Sequence, residues 1–292
     1  MTEIAVIGLG TMGGRVASKL TEAGRSVSGY DPVAGARDAA AAHGIQTHTE
    51  QAPAIADAEL IVLSLPRPDD VIEAARGPLS HAQAGSVVVD LSTIDAASAK
   101  TASEHLVSYD VDYVDAPVLG RPEGCGHWTL PAGGAEGAID TVAAFLEGVV
   151  AKRVVRVGDV GAGSVVKILN NLMFGAINAV TAEALNTCRL AGVDTDVFVN
   201  TVAESGAATV SNLFRELAPK LIANDYEPAF SLALLAKDNK LALDLEGAVG
   251  SPSFVAGSID HINSLTMNQG YGRQDTGSVQ ELYRTLSRTA DE

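Results

Sequence analysis

The sequence predicts an α/β protein: a doubly wound, mostly parallel sheet over residues 1–162, then an all-α domain over 163–292, the two joined by a long helix. Three observations carry this. Short β-rich runs alternate with Ala-rich segments up to about residue 160. A glycine-rich turn follows the first run. Beyond 160 the strand signals stop and apolar residues recur at three-to-four spacing. Strand–helix alternation means βαβ units and parallel pairing.

The expected strands are IAVIGL (4–9), SVSGY (26–30), LIVLSL (60–65), SVVVDL (86–91), VDYVDA (111–116) and RVVRVG (153–158). The helix expected from Ser164 to Leu190 is stopped by AGVD at Gly192. At 1.5 Å per residue it spans roughly 40 Å, more than a small domain needs. It is expected to bridge domains or subunits. No internal repeat or low-complexity linker is visible.

Composition narrows the function classes. The chain is 47% hydrophobic and carries a formal net charge of −16. A nucleic-acid partner wants a basic face, and an anionic membrane surface would repel this chain as well. An anionic substrate would need a locally positive pocket. The two cysteines, Cys125 and Cys188, form no CxxC or zinc spacing, which suits reduced thiols. The amino terminus enters a strand without a basic-then-apolar leader pattern. No uninterrupted apolar run approaches the ~18 residues of a bilayer span. A cytoplasmic protein is expected. The long helix and apolar segments such as PSFVAGSIDHINSL (252–265) suggest a homodimer or homotetramer.

IAVIGLGTMGGRVASKL sets Gly8, Gly10 and Gly13 in G-x-G-x-x-G spacing, with Thr11 and Met12 between them. The context fits a Rossmann-type dinucleotide site, because a strand precedes and a helix follows. Gly8 would permit the tight turn, Gly10 the approach of a pyrophosphate, and Gly13 close packing of helix on strand. Asp31 ends the second strand, where an acid pairs with adenosine ribose hydroxyls. A 2′-phosphate would meet like charge, and Pro32 and Val33 stand where an arginine could relieve it. NAD is therefore expected over NADP. Two more strand ends, SLPRP and DLSTI, bring Leu65, Pro66 and Thr93 to the same sheet edge.

Four blocks in order, IGLGTMG (7–13), DAPVLGRPEGCGHWTL (115–130), GAGSVVKILNN (161–171) and KDNKLAL (237–243), resemble the β-hydroxyacid dehydrogenases. These include 3-hydroxyisobutyrate dehydrogenase and tartronate semialdehyde reductase and are related to 6-phosphogluconate dehydrogenase. The resemblance covers nearly the whole chain. It implies that Lys167 is the general acid/base, that Asn171 orients the substrate, that the second block holds the substrate carboxylate, and that Lys237 closes over the cofactor side.

The second block departs from the family's usual DAPVSGG…GTL. Leu119 replaces the serine, Arg121 the second glycine and Trp128 the glycine before TL, while Gly120 is kept. Arg121 could supply a fork of donors suited to a carboxylate or sulfonate, or it is a plain loop arginine. Trp128 either reshapes the pocket or fills core.

The chemistry accounts for a lysine in an apolar helix. Moving a hydride between an alcohol and a nicotinamide needs a base for the hydroxyl proton, or an acid in reverse. The six scattered histidines offer no zinc cluster. A lysine serves if burial and neighbouring cations bring it toward neutrality. Val165, Val166, Ile168, Leu169, Leu172 and Met173 would supply the burial. The expected activity is hydride transfer on a small β-hydroxy acid or its semialdehyde, without a metal. An imine or ketimine reductase, whose members generally lack the lysine, and a non-catalytic NAD-binding interaction protein are the alternatives.

Overall fold

The computed structural model describes residues 3–205 and 211–287. The chain divides into two compact units, residues 1–167 and 168–292. The division falls inside a helix, beyond the 162/163 boundary expected from the sequence.

The first unit alternates strands and helices in the order β1 (Ile4–Ile7), α1 (Thr11–Glu22), β2 (Val27–Tyr30), α2 (Ala34–Ala41), β3 (Gln46–His48), α3 (Gln51–Ile55), β4 (Leu60–Leu63), α4 (Pro68–Arg76), β5 (Val87–Asp90), α5 (Ala96–Leu106), β6 (Asp112–Asp115), β7 (Trp128–Gly133), α6 (Glu136–Leu146) and β8 (Ala151–Gly158). The strands form one eight-stranded sheet in the order β3-β2-β1-β4-β5-β6-β7-β8. All pairs are parallel except β6 with β7, which meet antiparallel at Asp115 and Gly133. The reversal of strand order about β1 and β4 is the switch point of a doubly wound sheet.

Runs of Val, Ile and Leu make the central strands because helices cover both faces and leave no solvent side. Period-two alternation sorts their side chains. Ile4, Val6, Leu60, Val62, Val87 and Val89 share one core with Val16, Ala17 and Leu20 of α1. Ala5, Ile7, Ile61, Leu63 and Val88 share the other with Ile55 of α3, Val71 of α4 and Leu106 of α5. The six expected strands all form. Two more, β3 and β7, were not expected.

The long helix α7 runs Ala162–Leu190, and Gly192 follows with φ +75°, as the stop signal anticipated. In the second unit come α8 (Thr195–Glu204), α9 (Asn212–Ala223), α10 (Leu232–Val249), α11 (Phe254–Asn268) and α12 (Val279–Leu286). Side-chain caps set the starts of α8 and α9: Asp194 accepts from Val197 N at 3.0 Å and Ser211 from Phe214 N at 2.9 Å. Leu185, Phe214, Leu217, Leu221, Leu232 and Val279 form the buried centre of this unit.

By length and composition α7 could cross a membrane, with a mean hydropathy of 1.3 over its most apolar window. Its polar side chains place it differently. Asn178 donates to the Thr276 carbonyl and Asn186 to Ser287 Oγ, and both asparagines are buried. A helix that spends buried amides on its own neighbours is behaving as the core helix of a helical domain.

Candidate active site

The turn between β1 and α1 is built by steric necessity. Gly8 has φ +94°, and a Cβ there would lie 2.2 Å from the Ser64 carbonyl oxygen. A Cβ on Gly13 would lie 1.8 Å from the Gly8 carbonyl oxygen. Helix α1 thus sits directly on the strand turn. Gly10 differs: a Cβ there meets no protein atom within 4 Å. It is the N-cap of α1 and makes no side-chain cap bond. The open space, the uncapped N–H groups of the first turn and the helix dipole together fit a pyrophosphate. Thr11 is exposed at this end and Met12 packs partly on the first core. A groove of about 430 Å³ opens beside Gly10 and Thr11 and follows α1 past Arg15, Ser18 and Lys19.

Asp31, at the end of β2, is buried and holds the turn. Its Oδ2 accepts from Leu9 N and its Oδ1 from Val33 N, both at 2.8 Å. Positions 32 and 33 hold no arginine, but Arg37 reaches the same strand end. One turn into α2, its guanidinium donates to the carbonyls of Asp31 and Pro32 at 2.6 and 3.1 Å. An acid and an arginine therefore share the end of β2.

At the ends of β4 and β5, Leu65 and Thr93 are half-buried and Pro66 is exposed. A buried carboxylate organises them. Asp90 accepts from Ser92 N at 2.8 Å and from the Tyr113 hydroxyl at 2.7 Å, and Ser92 Oγ accepts from Leu65 N at 2.9 Å. Burial pushes the Asp90 carboxyl above its ordinary range, against those hydrogen bonds.

The segment after β6 returns on itself. Leu119 bridges Thr129, and Trp128 opens β7. Trp128 is buried in the first core, and its indole N–H donates to the Arg121 carbonyl at 2.7 Å. A Cβ on Gly120, where φ is +155°, would lie 2.5 Å from Trp128 Cδ1. The indole occupies the space a larger residue at 120 would need. Of the two readings open for Trp128, core filling is the one its burial supports: it holds the Arg121 loop from beneath. Leu119 and Arg121 are half-buried and Gly120 exposed.

Lys167 and Asn171 lie one turn apart on α7. Lys167 is half-buried. The apolar sheath expected around it is incomplete, since Leu169 and Met173 are exposed, 41% and 66%. Their side chains project from the helix sectors that neither Lys167 nor Asn171 occupies. Asn171 is buried at 4% exposure and its amide donates to Asp238 Oδ2 at 2.6 Å. Asp238, itself buried, pairs with Lys237 Nζ at 3.0 Å. A charged chain Asn171–Asp238–Lys237 results, and Asp238 is the residue the motif reading passed over. Lys240 pairs instead with Asp244 on an exposed face. Among the described residues no cluster of three or more His, Cys, Asp or Glu is placed to hold a metal, and Cys125 and Cys188 are free thiols.

Comparison with known proteins matches both units. Residues 3–158 fit the family described as the NAD binding domain of 6-phosphogluconate dehydrogenase. Residues 161–283 fit the one described as NAD-binding of NADP-dependent 3-hydroxyisobutyrate dehydrogenase. The chain is 29% identical to 2-(hydroxymethyl)glutarate dehydrogenase of Eubacterium barkeri, covering 98% of this chain and 96% of that one. It is 30% identical to human mitochondrial 3-hydroxyisobutyrate dehydrogenase, covering 97% and 87%. A crystal structure of 3-hydroxyisobutyrate dehydrogenase from Salmonella typhimurium superposes with a TM-score of 0.87 at 28% identity, covering 97% of this chain and all of that one. With the glycine turn, the doubly wound sheet and the helical unit in place, the chain belongs to the β-hydroxyacid dehydrogenase family of NAD(P)-dependent oxidoreductases.

Proposed function

We propose that the protein oxidises a small β-hydroxy acid of the form R–CH(CH₂OH)–COO⁻, or reduces its aldehyde, with Lys167 as general acid/base. The observation that carries this is the polar pair on α7, a half-buried Lys167 one turn before an Asn171 whose amide is fixed by buried Asp238. The substrates named for the two relatives above share that hydroxymethyl-carboxylate unit. When bound, the nicotinamide supplies or accepts the hydride. The chain's part is to take the hydroxyl proton on Lys167 Nζ, or return it to the forming alkoxide. Asn171 orients the substrate without adding charge. Arg121, on the loop seated over Trp128, pairs with the carboxylate, and its fork of donors suits a sulfonate as well.

NAD is the cofactor this reading favours, because the Asp31 carboxylate would repel a 2′-phosphate. Arg37 supports NADP as the second reading, since its guanidinium stands at the same strand end. A panel at 340 nm tests both: 3-hydroxyisobutyrate, 2-(hydroxymethyl)glutarate, glycerate and 2,3-dihydroxypropane-sulfonate, each with NAD⁺ and NADP⁺. Turnover of a carboxylate with NAD⁺ at least about tenfold better in kcat/KM, about 1.4 kcal/mol, is expected. Preference for NADP⁺ would shift the assignment to Arg37. No turnover of any member, with cofactor still binding, would overturn the proposed activity.

Exposed apolar side chains on the helical unit support a homo-oligomer. Met173 and Val180 lie on one face of α7, and Phe254 and Val255 at the start of α11 are 83% and 58% exposed. Light scattering coupled to gel filtration is expected to give two or four times the 30.0 kDa chain mass. A monomer at micromolar concentration would remove this reading.

A further inference from the structure

The start of α7 is fixed by a buried carboxylate nearly fifty residues upstream. Asp115, the last residue of β6, is 1% exposed. Its Oδ1 accepts from Gly161 N and its Oδ2 from Ser164 N, both at 2.7 Å. These N–H groups open the helix and have no acceptor within it, and a carboxylate there also meets the positive end of the helix dipole. The fit allows no side chains. A Cβ on Gly163 would lie 2.4 Å from the carbonyls of Asp115 and Pro131, and one on Gly133 would lie 2.5 Å from Asp115 Oδ1. Gly161 takes φ +97° against Ala96 of α5. Gly133 and Gly163 therefore clear the ground for one carboxylate, and Lys167 follows Ser164 by less than one turn.

The geometry points to Asp115 as a positioning residue for the reaction: by tying both ends of the first turn of α7, it fixes where Lys167 is presented. This rests on the reading of Lys167 as acid/base. The device is sensitive to protonation. Burial pushes the Asp115 carboxyl up to about 6, against the backbone bonds from Gly161 and Ser164. The titratable groups facing it are few. Asp90, its register partner on β5, adds like charge, and Tyr113 on β6 already gives its hydroxyl to Asp90. Asp159 in the turn before α7 is 98% exposed and pairs with Arg156. From β7, Gly133 lies against the Asp115 carboxylate and carries no titratable group. Below about pH 6 the carboxyl gains a proton and one of its oxygens ceases to be a full acceptor. The first turn then loosens.

Aldehyde reduction separates this from the lysine's own titration. As the acid, Lys167 must be protonated, and lowering the pH only favours that. An acid limb in kcat for reduction therefore reports another group. For the wild type, kcat is expected to fall as the pH drops through about 6, with KM for NADH held within about twofold. Asp115→Asn keeps the shape but turns an N–H₂ toward a backbone N–H. At pH 7.5 it should lower kcat by on the order of tenfold to a hundredfold, keep KM for NADH, and lose the acid limb. A variant with wild-type kcat and an unchanged limb would overturn the proposal. If the variant does not fold, a wild-type kcat that stays flat from pH 5 to 7 overturns it alone. Lys167→Ala, run beside it, separates the two readings. An active alanine variant defeats the acid/base assignment itself, whereas an inactive one with an unaffected Asp115→Asn defeats only the positioning role.

Discussion

Lys167→Ala is expected to lower kcat by about 10²–10⁴, the usual worth of a positioned acid or base, while cofactor affinity stays near wild type. The split follows from where the residues sit. The dinucleotide turn, with Gly8, Gly10, Gly13 and Asp31, is built on the β1–β2 end of the sheet, whereas Lys167 stands on α7. Single-turnover kinetics with NADH and the aldehyde would show the loss in the chemical step. Added small primary amines should restore part of the rate, because the cavity left by the side chain admits a base of the same chemistry. An alanine variant as fast as wild type would mean that the proton moves through another group, and Asp238 and Lys237 would be the residues to replace next.

Among the described glycines, Gly13→Ala is expected to be the most damaging single methyl. The new Cβ would stand 1.8 Å from the Gly8 carbonyl and 3.0 Å from Ser64 Cβ. The first obstacle is backbone on a buried strand turn, so no flexible side chain can yield. Helix α1 must move off the sheet, and a loss above about 4 kcal/mol is in keeping with a core overlap of this kind. Gly10→Ala is its control. No protein atom lies within 4 Å of that methyl, so stability should change by less than about 1 kcal/mol. NADH affinity should nonetheless fall, because the methyl occupies the space left for the pyrophosphate. Thermal melting and NADH fluorescence titration read the two effects apart. Equal melting temperatures for both variants would refute the packing account, and unchanged NADH affinity in Gly10→Ala would refute the cradle.

What could be read from the sequence followed the strength of local signals. Strands buried on both faces announced themselves as Val- and Ile-rich runs. The two that escaped lack that signature. Strand β3 is Gln-Thr-His at the sheet edge, and β7 contains Pro131, which argues against a strand because it cannot donate to a ladder. The glycine motif and Asp31 were legible because their spacing is local. Arg37 was not, because it stands six residues beyond Asp31, and only a helix starting at Ala34 brings it back over the strand end. Asp238 beside Lys237 reads as an ordinary solvated charge pair. Only its contact with Asn171, far away in sequence, shows that it is buried. Asp115 was visible as part of a motif, but its partners at Gly161 and Ser164 come from folding alone.

The single antiparallel contact between β6 and β7 has an evolutionary consequence. Strands β1, β2, β4, β5 and β6 are locked in parallel register over four residue pairs at each junction, while β6 touches β7 at one pair, Asp115 with Gly133. The intervening stretch can therefore vary around its own tie-points, the Leu119–Thr129 bridge and the Trp128–Arg121 hydrogen bond, without slipping the parallel strands β1 to β6. Variation there would leave the β1–α1 glycine turn and the first turn of α7 as they are.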